Sequence, residues 1–299
     1  MLKGCMIVLI QINKKGFKMI RNSKSLKIFL TFFFILIFSA CQKNVAPSAK
    51  NDMEMKTALV VGIADYNEAT PLKNPINDAT DFSKTLKKIG FDVITVLNPT
   101  KEEFDQSINL FIKKLNDNGG IGLFYYAGHG SQLGDKNYLI PADFSVNTTK
   151  SIDEQAINSL RILEKMGNSK SSVNILILDA CRDNPFEDSF KVASRALKIK
   201  KGHVGSNTGL TKIHAPKNAF IAFSTSPGEV AVDGDGRNSP YVKQLMKSIQ
   251  KENYTIEQVF QDVRNSVYNE TNGKQIPWEN SSLLHSHYFK PIKRIPTGW

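Results

Sequence analysis

Residues 57–64, TALVVGIA, make an unbroken run of mostly apolar side chains ending near Gly62 and Asp65. A run without alternation predicts a strand buried on both faces of a parallel sheet. Ala79, Phe82, Leu86 and Ile89 then recur at helical spacing, predicting a helix over 77–89 that Gly90 closes. The alternation continues with a strand at 91–97 and a helix capped by Thr100 that runs to about Asn116. Phe104, Ile108, Phe111, Ile112 and Leu115 share one face of that helix. A strand at 120–126, a short hairpin element at 137–141, a helix over 152–166 and a very apolar strand at 173–178 follow. A strand at 219–224, helices near 240–250 and 256–270 and a last strand at 283–289 complete the pattern. Strands separated by helices predict an α/β fold with a mostly parallel sheet. Such sheets place ligand sites at the carboxyl ends of their strands. Three polar groups fall there: Asp65, Gly128-His129-Gly130 and Asp179-Ala180-Cys181.

The first 41 residues follow another rule. Arg21, Lys24 and Lys27 precede an apolar run at 28–38, and small Ser39 and Ala40 follow it. That order predicts a secretory signal. The run is too short to cross a bilayer comfortably. Cys41, directly after Ser39-Ala40, resembles the lipidated cysteine of a bacterial lipobox, although Phe38 stands where that pattern prefers Leu, Val or Ile. The same flanks also fit an uncleaved anchor. Either reading puts the rest of the chain outside the cytoplasm, tied to a bilayer in a bacterial cell envelope. A second apolar patch at 6–12 leaves Met19 as an alternative start. Residues 42–56 read as a tether, 57–292 as one domain and 293–299 as a tail.

This segment changes the meaning of the charge. The chain has a formal net charge of +11, but residues 1–41 hold seven Lys or Arg and no acid. The other 258 residues carry 32 basic and 28 acidic side chains, a net of +4, so a nucleic-acid role loses its main support. Cys5, Cys41 and Cys181 form neither a disulfide framework nor a zinc spacing, and Cys181 is the thiol an exported chain would keep. The long connector 183–218 is basic, with Lys191, Arg195, Lys198, Lys200 and Lys201. It suits a processing or gating segment, a solvated loop, or a polyanion-binding surface. Asp233-Gly234-Asp235-Gly236 has a calcium-loop flavour without the full spacing, and fits a glycine-rich surface loop as well. The sequence therefore requires no cofactor and assigns no metal ligand; calcium is left open.

Cys181 follows an apolar strand directly, and His129 lies 52 residues upstream at the end of another. A cysteine nucleophile needs a base to raise its thiolate fraction, and an imidazole supplies one. Acyl transfer also needs backbone donors for the oxyanion, for which the amides of Gly130 and Cys181 are the candidates. Taken singly, a buried structural histidine and a core thiol fit these residues as well.

Four blocks carry a resemblance to a family. They are Val61-Gly62-Ile63 with Tyr66 and Asn77-Asp78-Ala79; Tyr125-Tyr126-Ala127-Gly128-His129-Gly130; Asp179-Ala180-Cys181-Arg182-Asp183-Asn184-Pro185-Phe186; and Phe223-Ser224-Thr225-Ser226-Pro227-Gly228. In this order they resemble the caspase and metacaspase group of cysteine peptidases, over most of 57–290. The resemblance implies a three-layer α/β fold, with a mostly parallel central sheet flanked by helices. It also implies a large-subunit-like part at 57–190 and a small-subunit-like part at 219–292, joined by the connector. It further implies His129 and Cys181 as the catalytic pair. Caspases have Gln two residues before the nucleophile; Asp179 stands there, as in metacaspases, and Asp78 matches their other pocket acid. Counting ungapped from Pro227-Gly228, Asp233 falls where caspases carry a pocket Arg. Ala127 stands where metacaspases often have Ser, and Arg182-Asp183-Asn184-Pro185 resembles a bacterial branch. Carboxylates in a pocket attract Arg or Lys and repel Asp. The expectation is an endopeptidase cutting proteins or peptides after Arg or Lys. The rival is a non-catalytic lipoprotein that keeps the fold as a binding or scaffold module.

Overall fold

The computed structural model describes residues 54–145, 148, 150–181, 210–226, 234 and 236–292, with Cys181 described by its backbone alone. Cys41 and the signal-like segment, residues 183–209 of the connector, and Asp233 lie outside the described residues. The expected alternation is present. Strand β1 (Lys56–Gly62) leads to α1 (Pro75–Lys88), β2 (Asp92–Leu97), α2 (Lys101–Asn118) and β3 (Gly120–Leu133). Then come β4 (Lys136–Leu139), α3 (Ile152–Gln155), β5 (Ile157–Asn158), α4 (Ser159–Gly167) and β6 (Ser171–Cys181). Strand β7 (Ala219–Phe223), α5 (Pro240–Ser248), α6 (Ile256–Glu270) and β8 (Trp278–Ser281) end the order.

The main path of the sheet runs β2-β1-β3-β6-β7-β8. All neighbours on it are parallel except β8, which runs antiparallel to β7. Side chains of the central strands alternate between two cores. Leu59, Phe124, Leu176 and Ile221 meet Phe104, Phe111 and Leu163 of α2 and α4 on one face. Val60, Leu123, Ile175 and Phe220 meet Phe82, Leu245 and Phe260 of α1, α5 and α6 on the other. Burial on both faces is why these strands read as apolar runs. Helix starts follow their sequence signals. Thr100 with Glu103 and Thr255 with Gln258 close capping boxes, and Ser239 caps α5 ahead of Pro240.

Three expectations shift. The helix expected over 152–166 is broken, because Ala156 is extended (φ −121°, ψ 167°) and Ile157 and Asn158 pair with β4. Asn158 then caps α4 by accepting from the Leu160 amide, 2.9 Å away. The last strand is 278–281 and not 283–289; Phe289 instead packs between Phe91 and Phe260. Strand β3 is twice as long as its apolar core suggests, and its far half turns into an antiparallel ladder with β4. His129 therefore sits within a strand.

Gly62 decides where α1 lies. A Cβ there would come within 2.5 Å of the Pro75 carbonyl oxygen and 2.6 Å of the Ala79 Cβ. Only a hydrogen fits that gap, so α1 packs directly over the end of β1 and carries Asp78 to the strand ends.

Candidate active site

Strands β3 and β6 run in parallel register with Ala127 beside Asp179, Gly128 beside Ala180 and His129 beside Cys181. Adjacent strands lie about 4.8 Å apart, so the two expected catalytic residues are lateral neighbours. His129 is only 3% exposed. Its backbone is held from three sides: its amide donates to Tyr66 Oη (2.7 Å), and its carbonyl accepts from Tyr126 Oη (2.6 Å) and from the Ile140 amide (3.1 Å). The imidazole leans on the Tyr66 ring, centroids 4.6 Å apart. Nε2 lies 3.0 Å from the Thr70 carbonyl oxygen. A carbonyl only accepts, so Nε2 carries the hydrogen, and in the neutral ring the basic lone pair is on Nδ1. Gly128 is required beside this ring. Its Cβ would lie 2.6 Å from Tyr66 Oη and 2.7 Å from Tyr126 Oη. Gly130 follows at the start of the β4 ladder, opposite Leu139 and close to Ala180 and Leu210.

Two residues before Cys181, Asp179 enters the layer between the sheet and α1 and α5. Tyr125 Oη donates to its Oδ2 (3.2 Å), as does Ser239 Oγ (3.3 Å). Asp78 of α1 is 2% exposed and accepts from the Ser239 amide (3.1 Å) and Asn238 Nδ2 (2.9 Å). Burial, and next the charge of Asp179, push the Asp78 carboxyl up to about 7. Burial first, then the charges of Asp179 and Asp78 at Tyr125 and of Asp179 at Tyr241, push both hydroxyls up and keep them protonated. Two buried carboxylates thus lie beside one another, joined through Ser239, and a guanidinium or ammonium group would relieve their repulsion.

Of the expected site residues, the fold gathers His129 and Gly130 of mid-β3 with the Cys181 backbone at the end of β6, and Asp78 with Asp179 beside them. Asp233 lies outside the described residues. Among the described residues no three His, Cys, Asp or Glu side chains form a group suited to a metal. No helix among them is long and apolar enough to cross a membrane. Sequence reasoning quoted Tyr125 within a motif but gave it no role, and passed over Tyr241, Asn238, Ser239 and the Thr70 carbonyl. A helix starting near Pro240 was legible, but the bond of Ser239 to Asp179 joins residues 60 apart, and a backbone carbonyl carries no sequence signal at all.

A six-strand path between two helical layers, with the site at the ends of its central strands, is the three-layer α/β architecture of caspase-like proteins. The model of the Caspase domain family matches residues 55–288, and the chain belongs to that family of peptidases. Human mucosa-associated lymphoid tissue lymphoma translocation protein 1 is 32% identical over 159 residues, 53% of this chain and 18% of that protein. A probable protease of a Desulfuromonadales bacterium is 28% identical over 204 residues, 59% of this chain and 23% of that one. Metacaspase-1 of Lodderomyces elongisporus is 29% identical over 117 residues, 31% of this chain and 26% of the other. The chain thus spans roughly a quarter or less of the length of these relatives. The crystal structure of caspase-1 from Spodoptera frugiperda shares the fold, with a TM-score of 0.58 at 17% identity, covering 81% of this chain and 92% of that one.

Proposed function

We propose that the protein is a cysteine endopeptidase that hydrolyses peptide bonds after Arg or Lys, with His129 and Cys181 as its dyad. The observation that carries this reading is the register of His129 beside Cys181, with Asp179 two residues away in the same strand. In the proposed reaction Nδ1 of His129 takes the thiol proton, while Nε2–H stays on the Thr70 carbonyl. The thiolate sulfur bonds to the substrate carbonyl carbon, and the Gly130 and Cys181 amides hold the oxyanion. Collapse breaks the C–N bond, and the imidazolium gives its proton to the leaving amine. A water, deprotonated by the same nitrogen, cleaves the thioester and restores the thiol. The substrate's cation sits between Asp78 and Asp179.

The test is hydrolysis by the full chain of peptides ending in Arg, Lys or Asp. Arg and Lys peptides are expected to be cut, Asp peptides ignored, and Cys181→Ala inert. A fully active Cys181→Ala would remove the nucleophile. Equal cleavage after Asp would remove the pocket. A folded wild type without any hydrolysis would leave the binding-module reading. We also propose that the chain is exported and anchored through a lipid on Cys41, a reading supported by the basic, apolar, small-residue order of 21–41. Fatty-acid labelling of the wild type but not of Cys41→Ser is the expected result; labelling that survives the substitution favours an uncleaved anchor.

A further inference from the structure

Three consecutive residues ahead of α5 each hold an acid. Ser239 bonds Asp78 through its amide and Asp179 through its hydroxyl. Asn238 Nδ2 lies between Asp78 Oδ1 (2.9 Å) and Asp81 Oδ2 (3.4 Å). Arg237 forks onto Asp81, with Nε 2.8 Å from Oδ2 and Nη2 3.3 Å from Oδ1. Asp81 is one helical turn from Asp78, so both carboxylates are on one face of α1. Asp78 is enclosed and Asp81 is at the rim, its side chain 19% exposed.

We propose that Arg237 is a positioning residue for the cation pocket. By gripping Asp81 from the other side of the rim it fixes residues 237–239 against α1, and so keeps the Asn238 and Ser239 donors on Asp78. The inference rests on the reading of Asp78 and Asp179 as the seat of the substrate's Arg or Lys.

The chemistry of the rim supports it. Lys84 also approaches Asp81, at 3.3 Å, but from α1 itself, so it cannot tie the α5 entry to α1. Arg237 can, because its planar fork fixes direction as well as distance. Without that grip Asn238 Nδ2 is free to follow Asp81, and Asp78 loses a donor that favours its charged form. Asp81 would also become a third carboxylate beside the pair, with Lys84 its remaining cation among the described residues. Arg237 itself is 59% exposed in its side chain, and pairs so exposed add little to global stability. Its effect belongs to the pocket.

The test compares the full chain with its Arg237→Gln and Arg237→Lys variants. Calorimetry measures binding of acetyl-arginine amide to each in the Cys181→Ala background, and Arg-peptide kinetics are measured across pH in the active background. Arg237→Gln is expected to bind the probe about tenfold more weakly, the equivalent of about 1.4 kcal/mol. KM should rise with kcat within about twofold, and the acid limb of kcat/KM should move to higher pH. Arg237→Lys should recover part of each loss, and thermal stability should hardly change. Wild-type affinity and an unmoved pH profile in Arg237→Gln overturn the inference while the pocket stands. If the parent itself fails to bind acetyl-arginine amide, the pocket reading falls and this inference with it.

Discussion

Asp78 is enclosed beside Asp179, and both conditions oppose its ionisation. The folded carboxyl holds its proton to about pH 7, whereas the unfolded one releases it near 4. A folded pKa above the unfolded one gives stability that is complete below about pH 4 and is lost as pH rises through about 7. Asp78→Asn removes that loss. At pH 8 it is expected to unfold later than wild type by up to about 4 kcal/mol, and near pH 4 by almost nothing, as denaturant melts at the two pH values will read. Hydrolysis of Arg peptides should move the other way. The pocket must be ionised to hold a cation, so wild-type kcat/KM should fall as pH drops below about 7, and Asp78→Asn should lose at least about tenfold at pH 8. A variant less stable than wild type at pH 8 would show that the acid pair is satisfied rather than strained.

Among the elements, the contact of α1 with β1 has the least room for change. The Gly62 Cβ position is 2.5 Å from the Pro75 carbonyl oxygen, a backbone atom that moves only if the helix moves. Gly62→Val is expected to cost about 1–3 kcal/mol, a fall in Tm of roughly 3–9 °C, and to raise KM for Arg peptides as Asp78 is displaced. Gly167→Ala is the control. Nothing lies within 4 Å of its Cβ position, so Tm and KM should stay near wild type. An undisturbed KM in Gly62→Val would mean that α1 does not set the position of Asp78.

For the molecule as a whole, the order of the parts matters more than their stability. Cys181 ends β6, the connector follows, and the chain re-enters the described structure with Leu210 buried near Gly130. Thr211 is gripped at both edges by Asn137, whose amide accepts from its N–H (2.7 Å) and donates to its carbonyl (2.8 Å). Beyond it, β7 adds to β6 in the same sheet. A cut in the connector would leave both ends anchored in one fold. The basic residues of the connector match the proposed cleavage preference, so self-processing within 183–218 is expected. Intact-mass spectrometry should find it in wild type and not in Cys181→Ala; an uncut and fully active wild type would reject it.

The apolar runs at 57–64 and 173–178 and the 3.6-residue spacing of α1 and α2 were sufficient to derive a parallel sheet between helical layers, because burial on both faces leaves an unmistakable composition. His129 and Cys181 were legible for a related reason. Each is a residue type suited to nucleophilic chemistry next to an apolar strand, and strand ends are where α/β sheets keep their chemistry. The length of β3 was not legible, since beyond Ala127 its partner is β4 and pairing with a distant segment overrides local pattern. Nor was the break at Ala156, where β5 is made by β4 and not by its own residues. The sequence by itself determined the layers through local periodicity, and through chemical type it put His129 and Cys181 forward as candidates. The tertiary structure alone decided the tautomer of His129, the raised proton affinity of Asp78 and the triple grip of Arg237, Asn238 and Ser239. Each of those depends on groups tens of residues apart that only packing brings within hydrogen-bonding distance.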